Sequence, residues 1–284
     1  MAKDIKVSVV IITYNQPDRI GGAIQTVLDQ TFQDFEIIIV DGANSPENKM
    51  NVLKFKDKRI KYIRVESEFV NANSQIGMQH ARNVGCKESK GKYIAMLDDD
   101  DRWMPTKLEK QVKIMEEESK VGLVLCYMKV GTGNDAVISK NLLEPTYKDL
   151  LMGFNMSSTS SLLIRTKVLK EIGGWNEKLR GMHEHDIALK IAKKGYLIKT
   201  VPEPLMHRLT ISMHHVVYKI NEAFDLWHYY GRDFIPLLGI KGFIFKFIKT
   251  SLVVGLLMCG YIVKNRVWKV IYPLDMFYRR KVNV

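Results

Sequence analysis

Short apolar runs alternate with amphipathic stretches through the first hundred residues of the chain. Two of the runs, 7–12 and 37–40, are nearly continuous in β-branched residues, which is typical of strands that helices cover on both faces. The stretches between the runs place apolar residues at helical spacing. The pattern predicts strands at 7–12, 36–40, 60–65 and 93–97 and helices at 17–28, 46–55 and 73–87.

The second hundred residues continue the alternation less regularly. A helix is predicted at 105–118, with Pro105 near its first turn, and a strand follows at 121–130. Further strands are predicted at 160–165 and 196–201, and a helix at 184–194 that Gly195 would end. This pattern indicates an α/β fold with a mostly parallel central sheet flanked by helices.

Polar residues stand at the point where three of the predicted strands end. They are Thr13-Tyr14-Asn15, Asp41-Gly42 and the acidic run Asp98-Asp99-Asp100-Asp101. In a parallel α/β sheet, ligands bind beyond the carboxyl ends of the strands. We therefore expect these residues to share one crevice.

The chain beyond residue 234 is apolar and basic. Between residues 234 and 263 the charged residues are Lys241, Lys246 and Lys249. The longest uncharged run, 250–263, is shorter than the roughly 18 to 20 residues that a spanning helix needs. On a helix the lysines fall within an arc of roughly 140°, opposite a broad apolar face. We expect a helical extension that lies in a membrane interface, with a helix packed on the protein core as the alternative.

The net charge of +12 is concentrated in the same part of the chain, because residues 232–284 hold ten Lys or Arg and two Asp. Charges interleaved with apolar residues favour an anionic lipid surface over nucleic acid.

The three cysteines form no CxxC pair, which indicates free thiols in a reducing compartment. The first residues lack a signal-peptide pattern, so we expect a cytoplasmic protein at the inner face of the membrane.

The strongest chemical signal is the run of four carboxylates, Asp98 to Asp101, directly after a predicted strand. Adjacent carboxylates repel one another, and a turn needs at most one or two of them, so the run predicts a bound cation. Oxygen ligands favour Mg²⁺ or Mn²⁺, and such an ion usually completes its shell with substrate phosphates. A solvated acidic turn is the alternative.

Five segments together resemble glycosyltransferase family 2, whose GT-A fold carries a DxD motif after a strand in this context. They occur in the family's order at residues 7–15, 30–42, 81–85, 91–101 and 173–177. The resemblance implies an inverting transfer of a sugar from a nucleotide-sugar donor. A QxxRW motif, typical of processive polysaccharide synthases, is missing, which favours one sugar per encounter. Membrane placement suggests a lipid-linked glycan or a cell-surface polysaccharide precursor as acceptor.

The resemblance also implies which residues bind the nucleotide. Thr13 and Tyr14 would contact it, Tyr14 by packing against the base. Asp41 would accept hydrogen bonds from the base or the ribose. Many family members carry a second Asp where this chain has Gly42, which leaves the base preference open.

Further roles follow from the same resemblance. Asp99 would face the ribose or a metal-bound water, and Asp100 would coordinate the metal ion that bridges the diphosphate. His207 lies where some relatives complete the metal or diphosphate shell, with an exposed loop residue as the alternative. Arg82 would contact the donor, although an exposed helical arginine explains it equally well. Trp175 would either stack on a sugar or pack in the core.

A general base is needed because an acceptor hydroxyl must lose its proton as it attacks the anomeric carbon. The family places an acid late in the chain, and alignment on the following helix puts Glu184 at that position. Glu184 is the predicted base and Asp186 the second choice, with a helix-start acid as the structural alternative for Asp186. His183 and His185 alternate with these acids, but the HExxH spacing of a zinc site is missing.

Pattern and resemblance together divide the chain into three parts. Residues 1–104 form the nucleotide-sugar half, 105–210 the acceptor and catalytic half, and 211–284 the membrane-associating extension. A GT-A domain that binds a nucleotide-sugar or glycan and regulates a partner without turnover is the alternative function. The intact acidic run and Glu184 favour the enzyme, and the oligomeric state stays open.

Overall fold

The structure is a computed structural model of the chain. It describes residues 5–43, 45–65, 75–131, 136–152, 158–209, 215–237, 239–240 and 244. Residues 1–211 and 212–284 form two compact units. All the strands described below belong to the first unit.

The first hundred residues fold as the apolar pattern predicts. The elements are β1 (Val7–Thr13), α1 (Pro17–Leu28), β2 (Phe35–Asp41), α2 (Pro46–Leu53), β3 (Ile60–Arg64), α3 (Gln75–Glu88) and β4 (Tyr93–Asp98). Strands β1 and β2 are buried over almost their whole length, which explains their continuous β-branched sequence.

The rest of the first unit contains more elements than the pattern predicts. They are β5 (Asp101–Trp103), α4 (Lys107–Glu117), β6 (Val121–Val130), β7 (Val137–Ser139), α5 (Tyr147–Leu151), β8 (Leu163–Arg165), α6 (Thr166–Glu171), α7 (His183–Lys193) and β9 (Leu197–Arg208). Residues Thr159–Ser161 form a short 3-10 helix where a strand was predicted. The unpredicted α5 begins with a capping box between Thr146 and Asp149, a signal that the sequence carries.

The strands of the described residues form one sheet in the order β3-β2-β1-β4-β8-β6-β9-β5, with β7 paired to β6. Strands β1 to β4 pair in parallel with one another, as β6 and β9 do. The short strand β8 runs antiparallel between β4 and β6 and joins the two parallel parts. The α/β prediction with a mostly parallel sheet is confirmed.

The second unit contains helix α8 (His215–Tyr230), followed by a 3-10 turn at Gly231–Asp233. The rings of Trp227 and Phe234 stack with their centroids 4.6 Å apart. Most of the predicted apolar and basic segment 234–263 lies outside the described residues. Among the helices that are described, none is long and apolar enough to cross a membrane.

Candidate active site

The carboxyl ends of β1, β2 and β4 lie side by side, as expected for a shared crevice. Thr13 pairs with Asp41 across β1 and β2, and Ile12 pairs with Asp98 across β1 and β4. The backbone amide of Gly42 donates to the Thr13 carbonyl oxygen at 3.0 Å. Parallel pairing thus brings three separate polar segments to one edge of the sheet.

The turn after β1 holds the carboxylate of Asp99. The Thr13 side chain and the Tyr14 backbone favour the charged form of this carboxylate and so lower its pKa. Burial, with added repulsion from Asp100 and Asp98, nevertheless raises the pKa of Asp99 to about 7. This site therefore gains electrostatically from any cation placed beside Asp99.

Asp41 is completely buried, and its carboxylate joins three elements. One oxygen accepts from the Ala43 amide at 2.8 Å, and the other accepts from the Tyr62 hydroxyl at 2.7 Å and the Asn48 side-chain amide at 3.3 Å. The Asn48 side chain also lies 3.4 Å from the Thr13 hydroxyl oxygen. The carboxylate thus stabilises the turn after β2, and its contact with a nucleotide stays a prediction.

The acidic run is divided between solvent and core. Asp98 and Asp100 are partly exposed, and each lies within ion-pair distance of an arginine, Arg82 at 3.1 Å and Arg19 at 3.5 Å. Asp101 is buried at the start of β5, and burial, with repulsion from Asp98 and Asp100, raises its pKa. The four neighbouring acids therefore occupy different environments.

Ser160 connects the two ends of the acidic run. Its hydroxyl donates to an Asp101 carboxylate oxygen at 2.6 Å and accepts from the Asp98 backbone amide at 3.0 Å. Its carbonyl oxygen accepts from the Trp103 indole at 2.8 Å. The apolar pattern predicts a strand at Ser160 and indicates no role for its hydroxyl. The available signal was the run of small hydroxyl residues at 157–161, directly before an apolar strand.

Arg82 lies inside the protein, with 4% of its surface exposed, so the exposed-arginine alternative is wrong. Its guanidinium donates to Asp98 at 3.1 Å and to the Gln79 side chain at 3.1 Å. It also lies 5.0 Å from the ring centroid of Trp175, which is itself buried, so packing accounts for this tryptophan. A contact between Arg82 and the donor stays a prediction.

Helix α7 begins beside this arginine. Met182 before it adopts a left-handed backbone with φ of 46°, a conformation rare for a side chain of its kind. His183 is buried, and burial together with the positive charge of Arg82 lowers its pKa to about 3, so the ring is neutral. Glu184 follows in the first turn of α7 and is partly exposed.

Asp186 differs from Glu184 in its surroundings. It is 1% exposed, and the Lys190 ammonium lies 2.7 Å from its carboxylate within the same helix. A carboxylate enclosed in this way stabilises the helix start, whereas a general base must reach the acceptor hydroxyl. The arrangement supports Glu184 over Asp186, and both roles stay predictions.

His207 lies on β9, opposite Arg102 of β5. Its Nε2 is 2.6 Å from the Gly131 carbonyl oxygen. A carbonyl oxygen can only accept, so Nε2 donates, and Nδ1 is the nitrogen with a lone pair. A metal ion would therefore have to bind through Nδ1, and His207 as a ligand stays a prediction.

The residues at this edge fit a divalent ion that the protein and a substrate hold together. Within the described ranges, no three His, Cys, Asp or Glu side chains gather into a site made by the protein alone. The Oδ1 atom of Asp101 is buried and accepts no hydrogen bond from the described residues. Carboxylate oxygens with few other donors suit Mg²⁺ or Mn²⁺ completed by phosphate and water, and do not suit zinc.

The chain is similar in sequence to known glycosyltransferases. Residues 8–172 match the family described as Glycosyl transferase family 2. An uncharacterized glycosyltransferase of Methanocaldococcus jannaschii is 29% identical over 208 residues, 70% of this chain and 69% of that protein. One from Rickettsia bellii is 40% identical over 130 residues, which is 45% of this chain but 18% of the relative.

A relative with a named reaction is the Escherichia coli UDP-Glc:alpha-D-GlcNAc-diphosphoundecaprenol beta-1,3-glucosyltransferase WfaP. It is 33% identical over 165 residues, which is 57% of this chain and 62% of WfaP. Less than two thirds of that relative is therefore covered by the match.

Solved structures share the fold at low sequence identity. The mannosyltransferase PcManGT from Pyrobaculum calidifontis, in complex with GDP-Man and Mn²⁺, superposes with a TM-score of 0.64 at 16% identity, over 98% of this chain and 80% of that one. S. aureus TarS 1-349 in complex with UDP-GlcNAc gives 0.61 at 19% identity, over 78% of this chain and 66% of that one. With the family match over more than half of its length, the chain belongs to glycosyltransferase family 2 and has the GT-A fold.

Proposed function

We propose that the protein transfers one sugar from a nucleotide-sugar donor, bound with Mn²⁺ or Mg²⁺, to an acceptor hydroxyl with inversion at the anomeric carbon. The observation that carries this proposal is the meeting of Thr13, Tyr14 and Asp99 beside Asp100, at the carboxyl ends of two neighbouring parallel strands, β1 and β4. Family membership supports the same reaction class.

In this proposal the nucleotide binds along the turn after β1. Tyr14 packs against the base. Asp41 orders the turn after β2, and it accepts hydrogen bonds from the base or the ribose when this turn rearranges. Two of the solved structures contain different nucleotides, GDP-Man in PcManGT and UDP-GlcNAc in TarS. The fold is therefore compatible with more than one base, and the nucleotide is left open.

A divalent ion held by Asp100, with His207 as a second ligand, would supply positive charge to the donor diphosphate. Asp99 orients the ribose or a metal-bound water. Ser160 and Arg82 keep the acidic run in place through Asp101 and Asp98.

Glu184 acts as the general base in the transfer. The acceptor oxygen forms a bond to the anomeric carbon as the bond from that carbon to the diphosphate oxygen breaks, and the bonding electron pair leaves with the diphosphate. The hydroxyl proton passes to the Glu184 carboxylate. Attack opposite to the leaving group inverts the anomeric configuration.

A screen of nucleotide-sugars by thermal shift tests the donor assignment directly. We expect one donor class to raise the melting temperature with Mn²⁺ and to lose most of this effect with a chelator, because the ion links Asp100 to the diphosphate. The same nucleotide without Mn²⁺ is the control. A protein that no nucleotide-sugar stabilises, with or without metal, would contradict the proposal.

The proposed acceptor is a lipid-linked glycan or a cell-surface polysaccharide precursor at the cytoplasmic face of the membrane. The name of the E. coli relative specifies a lipid-linked acceptor, a diphosphoundecaprenol sugar. The apolar and basic composition of residues 234–284 supports contact with anionic lipid.

Truncation of the chain after residue 240 tests this placement and leaves the stacked pair Trp227 and Phe234 intact. We expect the full chain to bind vesicles that contain anionic lipid at low salt and the truncated chain to lose that binding. Each basic residue near the surface contributes about 1 kcal/mol, so binding should weaken as salt rises. Vesicles of zwitterionic lipid are the control, and a truncated chain that aggregates while the full chain ignores anionic vesicles would support the core-packing alternative.

A further inference from the structure

Helix α1 is attached to the acidic run by the side chain of Arg102. The guanidinium donates to the backbone carbonyl oxygens of Asp99 at 3.2 Å, Asp101 at 2.7 Å and Arg19 at 3.1 Å. It occupies space left by Gly22, where a Cβ atom would lie 2.3 Å from Arg102 Nη2. Three carbonyl bonds therefore fix the first turn of α1 relative to the acidic run.

This attachment places a second arginine at the predicted metal ligand. The Arg19 Nη1 atom lies 3.5 Å from Asp100 Oδ2, and the two side chains are 42% and 33% exposed. A pair this accessible to water contributes little stability, and both partners can be rehydrated when it separates. Arg102 binds the backbone of Arg19, so the Arg19 side chain can leave Asp100 without breaking this attachment.

We propose that Arg19 is a counter-ion of Asp100 that the divalent ion displaces, and that the freed guanidinium then binds the donor diphosphate. This inference rests on the proposed function, since it takes Asp100 as the metal ligand. A guanidinium and a divalent ion repel each other when both contact one carboxylate. The divalent ion carries the higher charge, so it displaces the Arg19 guanidinium from Asp100.

The donor supplies the new partner. If Asp100 held the ion together with the donor diphosphate, phosphate oxygens would lie near the Arg19 side chain. A guanidinium matches phosphate oxygens in charge and geometry. Arg82 is less suited to this task, because it is buried against Asp98. The diphosphate gains negative charge as it leaves the sugar, so a fixed cation beside it also favours the transfer.

Arg19→Gln tests the exchange with two binding measurements of opposite sign. Without donor, we expect the variant to bind Mn²⁺ about two- to fivefold more tightly, because a competing cation is gone. With saturating Mn²⁺, we expect it to bind UDP or GDP at least about tenfold more weakly, because a charge-assisted bond to the diphosphate is lost. Titration calorimetry measures both affinities.

Two further variants serve as controls. Arg19→Lys keeps the positive charge but lacks the planar guanidinium. Its nucleotide affinity should therefore lie between those of the wild-type protein and Arg19→Gln. Arg59→Gln removes a positive charge far from the proposed site. Arg59 lies 4.3 Å from the ring centroid of Phe35, at the amino end of β2, whereas the site lies at the carboxyl end. This variant should change neither the Mn²⁺ affinity nor the nucleotide affinity.

The outcomes separate this inference from the function on which it rests. Unchanged or weaker Mn²⁺ binding by Arg19→Gln would overturn the displacement, and unchanged UDP and GDP binding would overturn the transfer to the diphosphate. A wild-type protein that binds neither Mn²⁺ nor these nucleotides would overturn the proposed function and the exchange with it.

Discussion

Replacement of Asp100 by alanine is expected to abolish metal-dependent donor binding and to lower transfer by about 10³ or more. A bound ion contributes several kcal/mol of charge stabilisation in the transition state, and each 1.4 kcal/mol is about tenfold in rate. The fold should persist, because Asp100 is partly exposed and its removal relieves repelling charges. Mn²⁺ titration and steady-state transfer assays measure the two effects.

The control for this variant is an acid of the same type away from the site. Asp29 caps the far end of α1, is exposed and bonds to Gln25, so Asp29→Ala should retain metal binding and activity. Mn²⁺-dependent activity that is undiminished in Asp100→Ala would show that Asp100 is not the metal ligand.

Replacement of Glu184 by glutamine is expected to lower turnover by about 10²–10⁴ with little change in donor affinity. Glutamine keeps the size and the hydrogen bonding of the side chain but cannot accept the proton of the acceptor hydroxyl. Equilibrium titration measures the donor affinity, and single-turnover kinetics measures the rate of transfer.

Asp186→Asn is the matched comparison, because the two acids lie two residues apart in one helix turn. Loss of the Asp186 charge removes the partner of the Lys190 ammonium next to the buried side chain of residue 186. We therefore expect Asp186→Asn to have a lower melting temperature and a smaller loss of turnover than Glu184→Gln. A large loss of turnover in Asp186→Asn together with an active Glu184→Gln would reverse the assignment of the base.

The sequence alone determined the elements of the first hundred residues and the edge of the sheet where the chemistry lies. Continuous β-branched runs fit strands covered on both faces, and the carboxyl ends of parallel strands meet at one edge. The contiguous acids and the order of the family segments are likewise local features of the chain. For this reason the sequence pattern by itself predicts that Thr13, Asp41 and Asp99 lie together.

Only the tertiary structure decided what each of these side chains contacts. The enclosure of Asp41, the pairing of Arg82 with Asp98 and the bonds of Ser160 to both ends of the acidic run depend on residues far apart in sequence. The short strand β5 also depends on such a contact, because its residues 101–103 pair with residues 206–208 of β9. The burial of a side chain and its hydrogen-bond partners depend on how distant segments pack together. A local pattern of apolar and polar residues therefore does not predict them.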